Sequence, residues 1–225
     1  MTDYYKEYGQ FYVSVDCVVF GLNEGRLSVL LTRRAFDPGQ GRWSLIGGFV
    51  RPTESLDTAA HRVLSELTGL DDIYMQQVGA FGEIERDPGA RVVSVAYYAL
   101  VNFDAHDRRK VEEHNGAWID LSELPELVFD HPQMMAEAME RLRTRFLTEP
   151  IGLTLLPASF TLSQLQALFE TVLGRPMDKR NFRKRAMEAT CIEPTGEKDR
   201  LSSKRGAALY RFNPEVYARD RKFKF

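Results

Sequence analysis

The chain has 225 residues, of which 44% are hydrophobic and 28% are charged, and its formal net charge is −2. These values are typical of a globular protein of one or two domains, and they exclude a disordered chain and a chain dominated by membrane spans. The charge is unevenly distributed, because residues 175–225 carry fifteen Lys and Arg against seven Asp and Glu, whereas residues 1–150 carry fifteen against twenty-four. A basic C-terminal part of this kind indicates a polyanion-binding domain joined to a domain with another task.

The two cysteines, Cys17 and Cys191, lie far apart in apolar segments. Two isolated cysteines predict buried thiols and not a disulfide framework or a metal cluster. The N-terminal residues contain no apolar run of signal-peptide length. We therefore expect a cytoplasmic protein that has no membrane partner and needs neither a cofactor nor a metal ion.

The first apolar segments predict two strands after a short polar arm at residues 1–10. Residues 11–22 and 26–36 are rich in β-branched and aromatic side chains, and a turn at residues 23–25 separates them. Asp16 is the odd residue of the first strand, because a carboxylate within a buried strand needs a ligand or a partner. The sequence leaves two possibilities open, contact with a bound ligand or an ion pair with Arg33 or Arg34.

Residues 47–70 predict a loop, a helix and a second loop. A glycine pair and a Pro-containing turn precede an Ala-rich amphipathic stretch, with Thr53 or Ser55 as N-cap and Gly69 as the stop. Another strand is predicted at residues 91–101 and an amphipathic helix at residues 132–146. Short strands that alternate with helices predict an α/β domain at residues 1–147, in which helices sandwich a mixed sheet.

Residues 148–160 contain two prolines and no clear periodicity, which predicts a connector between domains. Residues 161–225 then read as a second domain. A helix capped by Thr161 ends at Gly174, and Asp178 caps a second helix in which Phe182 and the region of Ala186 and Met187 face inward. Two strands joined by a basic loop follow, so the pattern predicts a winged helix-turn-helix.

The second helix of this domain is the candidate reader of a DNA major groove. Asn181 and either Arg180 or Arg183 are candidates to contact base edges. Candidates for phosphate contacts are Lys179, Lys184, Ser202, Ser203, Lys204 and Arg205. Two alternatives remain, a solvated basic helix face and a protein-binding winged domain.

The 47–70 segment resembles the Nudix box of a hydrolase family. Seven residues match its pattern, Gly48, Glu54, Arg62, Leu64, Glu66, Gly69 and Leu70, but Val63 and Leu67 stand where it requires carboxylates. Positions 63, 66 and 67 share one helix face, and a single glutamate there supplies too few oxygen ligands for Mg²⁺. We therefore expect a catalytically inactive box in which Glu66 is ion-paired or at the surface, and Glu54 and Arg62 brace the loop.

The order of a Nudix-like domain and a winged helix resembles the Nudix-related transcriptional regulators, whose branches include the NAD-biosynthesis repressor (NrtR) and the arabinose regulator (AraR). The phrases FYVSVDCVVFG, WSLIGGFV, FDHP and PMDKRNFRKR look most like the arabinose branch. The resemblance implies a homodimer that binds a palindromic operator in double-stranded DNA and is released by L-arabinose. Two alternatives are an ADP-ribose-responsive regulator and, more remotely, a weak Nudix hydrolase that uses Glu66 with Glu83 or Glu85.

The resemblance also implies an effector pocket where the hydrolase substrate would lie, beside residues 43–49 and 81–87. A sugar needs carboxylates and cationic side chains for its hydroxyls and an aromatic face for its C–H groups. Each candidate could equally be an ordinary surface or core residue. The candidates are Asp16, Arg33, Trp43, Glu83, Glu85 and Arg86.

Overall fold

The computed structural model describes residues 7–23, 25–71, 73–102, 108–200 and 206–225. The chain divides into two compact units. The first takes its described residues from Met1–Gly21, Ser28–Leu100 and His106–Ala138, and the second from Leu22–Leu27, Val101–Ala105 and Met139–Phe225. No helix among the described residues is long and apolar enough to cross a membrane.

A seven-stranded sheet forms the centre of the first unit. Its main path follows the order β3-β2-β1-β6-β5, β4 pairs with β1, and β7 pairs with β2. The strands are β1 (Tyr12–Asn23), β2 (Arg26–Arg33), β3 (Trp43–Ser44), β4 (Ile46–Phe49), β5 (Met75–Phe81), β6 (Val92–Asn102) and β7 (Gly116–Asp120). The helices are α1 (Leu56–Thr68), α2 (Arg108–Glu113) and α3 (His131–Phe146), the last of which continues into the second unit.

The centre of the sheet is covered on both faces. Cys17, Val18, Val19 and Phe20 are consecutive residues of β1, and all four have no exposed surface. Because successive side chains of a strand point to opposite faces, both faces must be packed against other elements. This burial explains why β1 is an almost continuous apolar run and why a charged residue within it needs partners.

Helix α1 begins and ends where the sequence predicts. The Ser55 side chain accepts a hydrogen bond from the Thr58 N–H, and Gly69 ends the helix in the left-handed conformation at φ 70°. Its buried side chains include Ala59, Ala60 and Val63, which hold the helix against the sheet. The choice between Thr53 and Ser55 as N-cap is thereby decided for Ser55.

The second unit contains a winged helix. A three-stranded sheet in the order β8-β10-β9 is built from β8 (Phe160–Thr161), β9 (Ile192–Asp199) and β10 (Ala207–Phe212). The helices are α4 (Leu162–Leu173), α5 (Lys179–Glu188) and α6 (Pro214–Asp220), and a 3₁₀ segment spans Pro150–Leu155. Thr161 and Gln164 form a capping box on α4, Gly174 ends it at φ 65°, and Asp178 caps α5.

Aromatic rings form the core of this winged helix. The Phe169 ring lies 4.4 Å from the Phe225 ring, 5.0 Å from Phe146 and 5.4 Å from Phe182, measured between centroids. All four residues are at most 6% exposed. Phe182 fixes the orientation of α5, because its burial turns the basic positions of the helix toward solvent.

The fold prediction is confirmed in its class, an α/β Nudix-like domain followed by a winged helix. The predicted Met187 orientation is wrong, because this side chain is 60% exposed while the adjacent Ala186 is fully buried. Both cysteines are buried free thiols, as predicted. The sequence did not predict the short strands β3, β4 and β8 or the helices α2 and α6, because each is short and lacks a full period of apolar residues.

Candidate functional site

A cleft of about 370 Å³ opens in the first unit beside β4 and the loop after β5. One part of its lining is polar, with Ser14, Asp16, Arg34, Asp37, Ser44, Arg86, Asp87 and His131, and another part is aromatic, with Tyr12, Phe36, Phe49 and Phe129. The volume lies within the range of about 300–1,000 Å³ that small-molecule sites occupy. This mixture of charged and aromatic side chains suits a polar organic ligand.

Asp16 lies at the bottom of the cleft and is 6% exposed. Its Oδ2 accepts a 2.5 Å hydrogen bond from the Ser94 hydroxyl. Its Oδ1 lies 3.6 Å from His131 Nε2 and receives no hydrogen bond from the described residues. Oδ1 is therefore available to accept a hydrogen bond from a hydroxyl of a bound molecule.

Arg86 fixes the loop after β5 to the start of α3. Its Nε and Nη2 donate to the two oxygens of Asp130 at 2.8 and 2.7 Å, a bidentate geometry. Nη2 also lies 3.7 Å from Asp16 Oδ2, and the side chain is 2% exposed. One guanidinium thus lies within ion-pair distance of two carboxylates, which gives the nearly buried Asp16 a charged partner.

His131 is neutral in this network. Its Nδ1 accepts the Leu45 backbone N–H at 3.1 Å, which places the ring proton on Nε2, toward Asp16. Burial lowers the pKa of His131, and the nearby Asp16 and Asp130 oppose this effect only in part. The imidazole N–H thus points toward Asp16 Oδ1, but the separation of 3.6 Å is too long for a hydrogen bond.

Acid is expected to destabilise the protein through His131. The folded pKa lies below the ordinary value of 6.5, so the unfolded chain binds the proton more readily and stability falls as the pH drops below that value. One such proton contributes a slope of at most about 1.4 kcal/mol per pH unit. Urea unfolding between pH 5 and 8 should show a shallower pH dependence in His131→Asn, whose Oδ1 can still accept from Leu45. Equal slopes in both proteins would contradict this role.

Arg34 is the available cation of the cleft. Its guanidinium contacts the faces of two rings, 4.9 Å from the Phe36 centroid and 4.8 Å from that of Phe129. Nε donates to the Pro38 carbonyl at 2.8 Å, and no carboxylate pairs with the side chain among the described residues. The terminal guanidinium nitrogens are therefore free to bind an anion.

The helix of the Nudix-like box has its charges internally paired. Arg62 binds Glu54 through Nε at 2.8 Å and Nη2 at 2.5 Å, and its Nη1 binds Glu66 at 3.0 Å. Arg51 binds the second oxygen of Glu66 at 3.1 Å. The Arg62 guanidinium lowers the pKa of Glu54 to about 2. These contacts confirm that Glu66 is ion-paired and that Glu54 and Arg62 brace the loop.

The two departures from the box have different surroundings. Val63 is 2% exposed, and a Cβ at Gly48 would lie 2.9 Å from its Cγ2, whereas Leu67 is 37% exposed. The described residues contain no group of three or more His, Cys, Asp or Glu able to hold a metal ion. Val63 thus fills the space under Gly48 as a packing residue.

The six predicted effector ligands are divided among three places. Asp16 and Arg86 line the cleft, while Glu83 and Glu85 line a shallower groove that shares Arg86 with it. Arg33 lies outside the lining, 4.0 Å from the Trp43 ring centroid. Their roles as effector ligands stay a prediction. The suggested pairing of Asp16 with Arg33 or Arg34 is wrong, because Ser94, His131 and Arg86 are its partners.

Sequence reasoning missed Arg34, Ser44, Phe36, Phe129 and His131 as lining residues. The phrase FDHP contains Phe129 and His131, but its proximity to Asp16 depends on chain segments more than a hundred residues apart. Only the short charged and aromatic cluster at residues 33–37 is a local sequence pattern that could have indicated lining residues of the cleft.

The predicted DNA-reading face lies on α5. Lys179, Arg180, Asn181, Arg183 and Lys184 are all exposed, as a groove-binding helix requires. The other predicted contacts, Ser202, Ser203, Lys204 and Arg205, lie outside the described residues. Arg200 and Gly206 border that loop between β9 and β10.

Comparison with known families decides the identity of both units. Residues 11–142 match the NUDIX domain family, and residues 152–212 match the NrtR DNA-binding winged helix domain. The chain belongs to the NrtR-type regulators. It is a transcriptional regulator in which a Nudix ligand-binding domain precedes a DNA-binding winged helix.

Three relatives of this NrtR-type chain are informative. The ADPR responsive transcriptional repressor NtrR of Acinetobacter baylyi is 36% identical over 211 residues, which are 91% of this chain and 83% of the relative. The crystal structure of Shewanella oneidensis NrtR with a 27mer DNA has a TM-score of 0.79 at 32% identity, covering 95% of this chain and 97% of that one. The NUDIX domain of the same Shewanella protein complexed with ADP ribose has a TM-score of 0.53 at 31% identity, covering 63% and 99%.

Proposed function

We propose that this protein is an ADP-ribose-responsive transcriptional repressor. The observation that carries the proposal is the 36% identity to an ADPR-responsive repressor across 91% of the chain. In this proposal the cleft of the Nudix domain binds the nucleotide, and the winged helix binds operator DNA.

The chemistry of the cleft suits ADP-ribose. The free nitrogens of Arg34 are suited to a diphosphate, since charge-assisted hydrogen bonds to phosphate are among the strongest in proteins. Tyr12, Phe36 and Phe49 are 50–61% exposed around the cleft and offer faces on which a base can stack. Asp16 Oδ1 can accept a hydrogen bond from a ribose hydroxyl.

L-arabinose, the effector expected from the sequence phrases, is less well supported. The comparisons favour the ADP-ribose branch and give no support to the arabinose branch. A pentose also carries no charge and no aromatic base, so it would leave Arg34 and most of the aromatic faces without contacts.

Several further features belong to the same proposal. We propose an effector-binding domain at residues 1–147, a connector at 148–160 and a DNA-binding domain at 161–225. A two-fold dimer would match a palindromic operator. The ligand would be held without hydrolysis, because Val63 and Leu67 supply no oxygen ligands to a metal ion. If ADP-ribose binds the DNA-incompetent arrangement more tightly, DNA affinity must fall by the same factor.

Calorimetry with ADP-ribose and L-arabinose tests the ligand assignment. We expect heat from ADP-ribose alone. Arg34→Gln is expected to weaken ADP-ribose binding by at least about tenfold, because it removes charge-assisted hydrogen bonds. Arg42→Gln is the matched control, since Arg42 pairs with Glu126 at the surface outside the cleft. Binding of arabinose alone, or full affinity in Arg34→Gln, would count against the proposal.

A further inference from the structure

We propose that residues 221–225, together with Arg185 of α5, form a second phosphate-binding surface that contacts the DNA backbone beside the recognition helix. The inference rests on the proposed DNA-binding function and extends it to a segment outside the matched winged-helix residues 152–212. We call this surface the tail patch, and it consists of Arg185, Arg221, Lys222 and Lys224.

The segment is anchored to the winged-helix core. Phe223 and Phe225 are 5% and 6% exposed, and the Phe225 ring lies 4.4 Å from Phe169 and 4.9 Å from Phe182. The Phe225 N–H donates to the Leu147 carbonyl at 2.8 Å. Because Phe182 belongs to α5, the segment is attached to the recognition helix itself.

This anchoring directs the basic side chains outward. Phenylalanine and lysine alternate along residues 222–225, so the buried rings leave Lys222 and Lys224 exposed. Both lysines line one surface recess of about 470 Å³ together with Arg185 and Arg221. Four cations are therefore held close together on a fixed backbone, which lowers the entropic cost of binding an anion.

Nearby carboxylates offset the patch only in part, since Asp220 interacts electrostatically with Lys222 and Glu149 with Arg221. Glu188 lines the same recess but has Lys184 at 3.9 Å. Asp220 binds Arg219 at 2.8 Å, and Glu149 binds Arg145 Nε at 2.9 Å. Within the described residues, Arg185, Lys222 and Lys224 have no carboxylate within 4.0 Å. The patch thus keeps a net positive charge available for a partner.

Arg221 is the patch cation nearest to the end of α6. It ends α6 in the left-handed conformation at φ 51°, where glycine is the residue without steric cost. Its guanidinium lies 5.3 Å from the Tyr217 ring centroid, a contact that orients the side chain but does not neutralise it.

Duplex DNA is the polyanion that best fits this patch. Arg185 belongs to the same helix as the exposed Arg180, Arg183 and Lys184, so the patch adjoins the predicted DNA-reading face. Phosphates flank the major groove on both sides of a helix bound in it. The tail patch would bind phosphates on one side and contribute affinity without sequence preference.

The test measures the salt dependence of DNA binding by the full-length protein. The probes are a duplex from the protein's own upstream region and a scrambled duplex of the same length. The double variant Lys222→Gln/Lys224→Gln is expected to reduce the magnitude of the slope of log K against log [salt] by about two. Its affinity for both duplexes is expected to fall by about tenfold or more at 0.1 M salt. Lys110→Gln, on a helix of the first unit, is the matched control and is expected to keep the wild-type slope.

Arg221→Gly separates charge from folding. It is expected to reduce the slope by about one while the melting temperature stays equal or rises, because glycine relieves the left-handed position. Wild-type slopes in both the lysine and the arginine variants would overturn the tail patch. Failure of the wild-type protein to bind either duplex would instead overturn the DNA-binding function, so the two failures are distinguishable.

Discussion

Replacing Gly47 by alanine is expected to destabilise the Nudix domain by about 3 kcal/mol and to abolish effector binding. Gly47 pairs with Asp16 across the antiparallel strands β4 and β1. A Cβ on Gly47 would lie 2.1 Å from Asp16 Oδ1, far inside van der Waals contact. Because Ser94, His131 and Arg86 surround that carboxylate, it cannot move without breaking the network under the cleft.

Gly79→Ala is the matched control for this substitution. Gly79 lies on β5 of the same sheet, and a Cβ there meets no atom within 4 Å. Urea unfolding should show a large loss in the free energy of unfolding for Gly47→Ala, and calorimetry should show a large loss of ADP-ribose affinity. Both quantities should change little in Gly79→Ala. Wild-type stability with wild-type binding in Gly47→Ala would mean that the Asp16 network is not part of the effector site.

Replacing Phe169 by alanine is expected to destabilise the winged helix by about 3–5 kcal/mol. Phe169 is 1% exposed and contacts the rings of Phe146, Phe182 and Phe225, so its removal opens a cavity at the centre of this core. Phe182 would lose its main packing partner, and α5 would lose its orientation. DNA binding should therefore fall with the folded fraction of the winged helix.

Met187→Ala is the control for Phe169→Ala, because Met187 is also apolar and belongs to α5 but is 60% exposed. Its effect on stability is expected to stay within about 0.5 kcal/mol. Thermal unfolding and DNA titration of both variants check the expectation. A decrease of less than about 1 kcal/mol in the free energy of unfolding of Phe169→Ala would show that the aromatic cluster does not stabilise the winged helix.

Local patterns predicted most of the fold. The apolar run around Cys17 defined β1, and Ser55, Thr161 and Asp178 capped their helices as the sequence indicates. These features depend on residues within one or two turns of each other. Elements without such patterns, for example the two-residue strand β8, became visible only through pairing with β10.

The site was predictable only in part, because its geometry is set by long-range contacts. Asp16 was identifiable as a charged residue in an apolar strand, but its partners Ser94 and His131 come from segments 78 and 115 positions away. Arg33 and Arg34 are neighbours in sequence and point to different places, one to Trp43 and the other into the cleft. Sequence spacing alone cannot show which of the two arginines enters the cleft.

The sequence phrases favoured L-arabinose as the effector, whereas the relatives favour ADP-ribose. Three of the phrases that resemble the arabinose branch, FYVSVDCVVFG, WSLIGGFV and FDHP, contribute lining residues such as Asp16, Ser44 and Phe129, yet none of them contains Arg34 or Phe36. The rim residues Arg34, Phe36 and Phe129 give the cleft its cationic and aromatic character. Ligand selection therefore has to be inferred from the assembled cleft and from relatives that share the whole chain.

The central claim is that ADP-ribose bound in the Nudix domain controls DNA binding by the winged helix. Its most direct test is fluorescence anisotropy of the full-length protein on a labelled duplex from its own upstream region, titrated with ADP-ribose and separately with L-arabinose. We expect saturating ADP-ribose to weaken DNA binding by about tenfold or more, within the usual range of allosteric coupling, and arabinose to have no effect. Release by arabinose, or unchanged DNA affinity with ADP-ribose bound, would contradict the account.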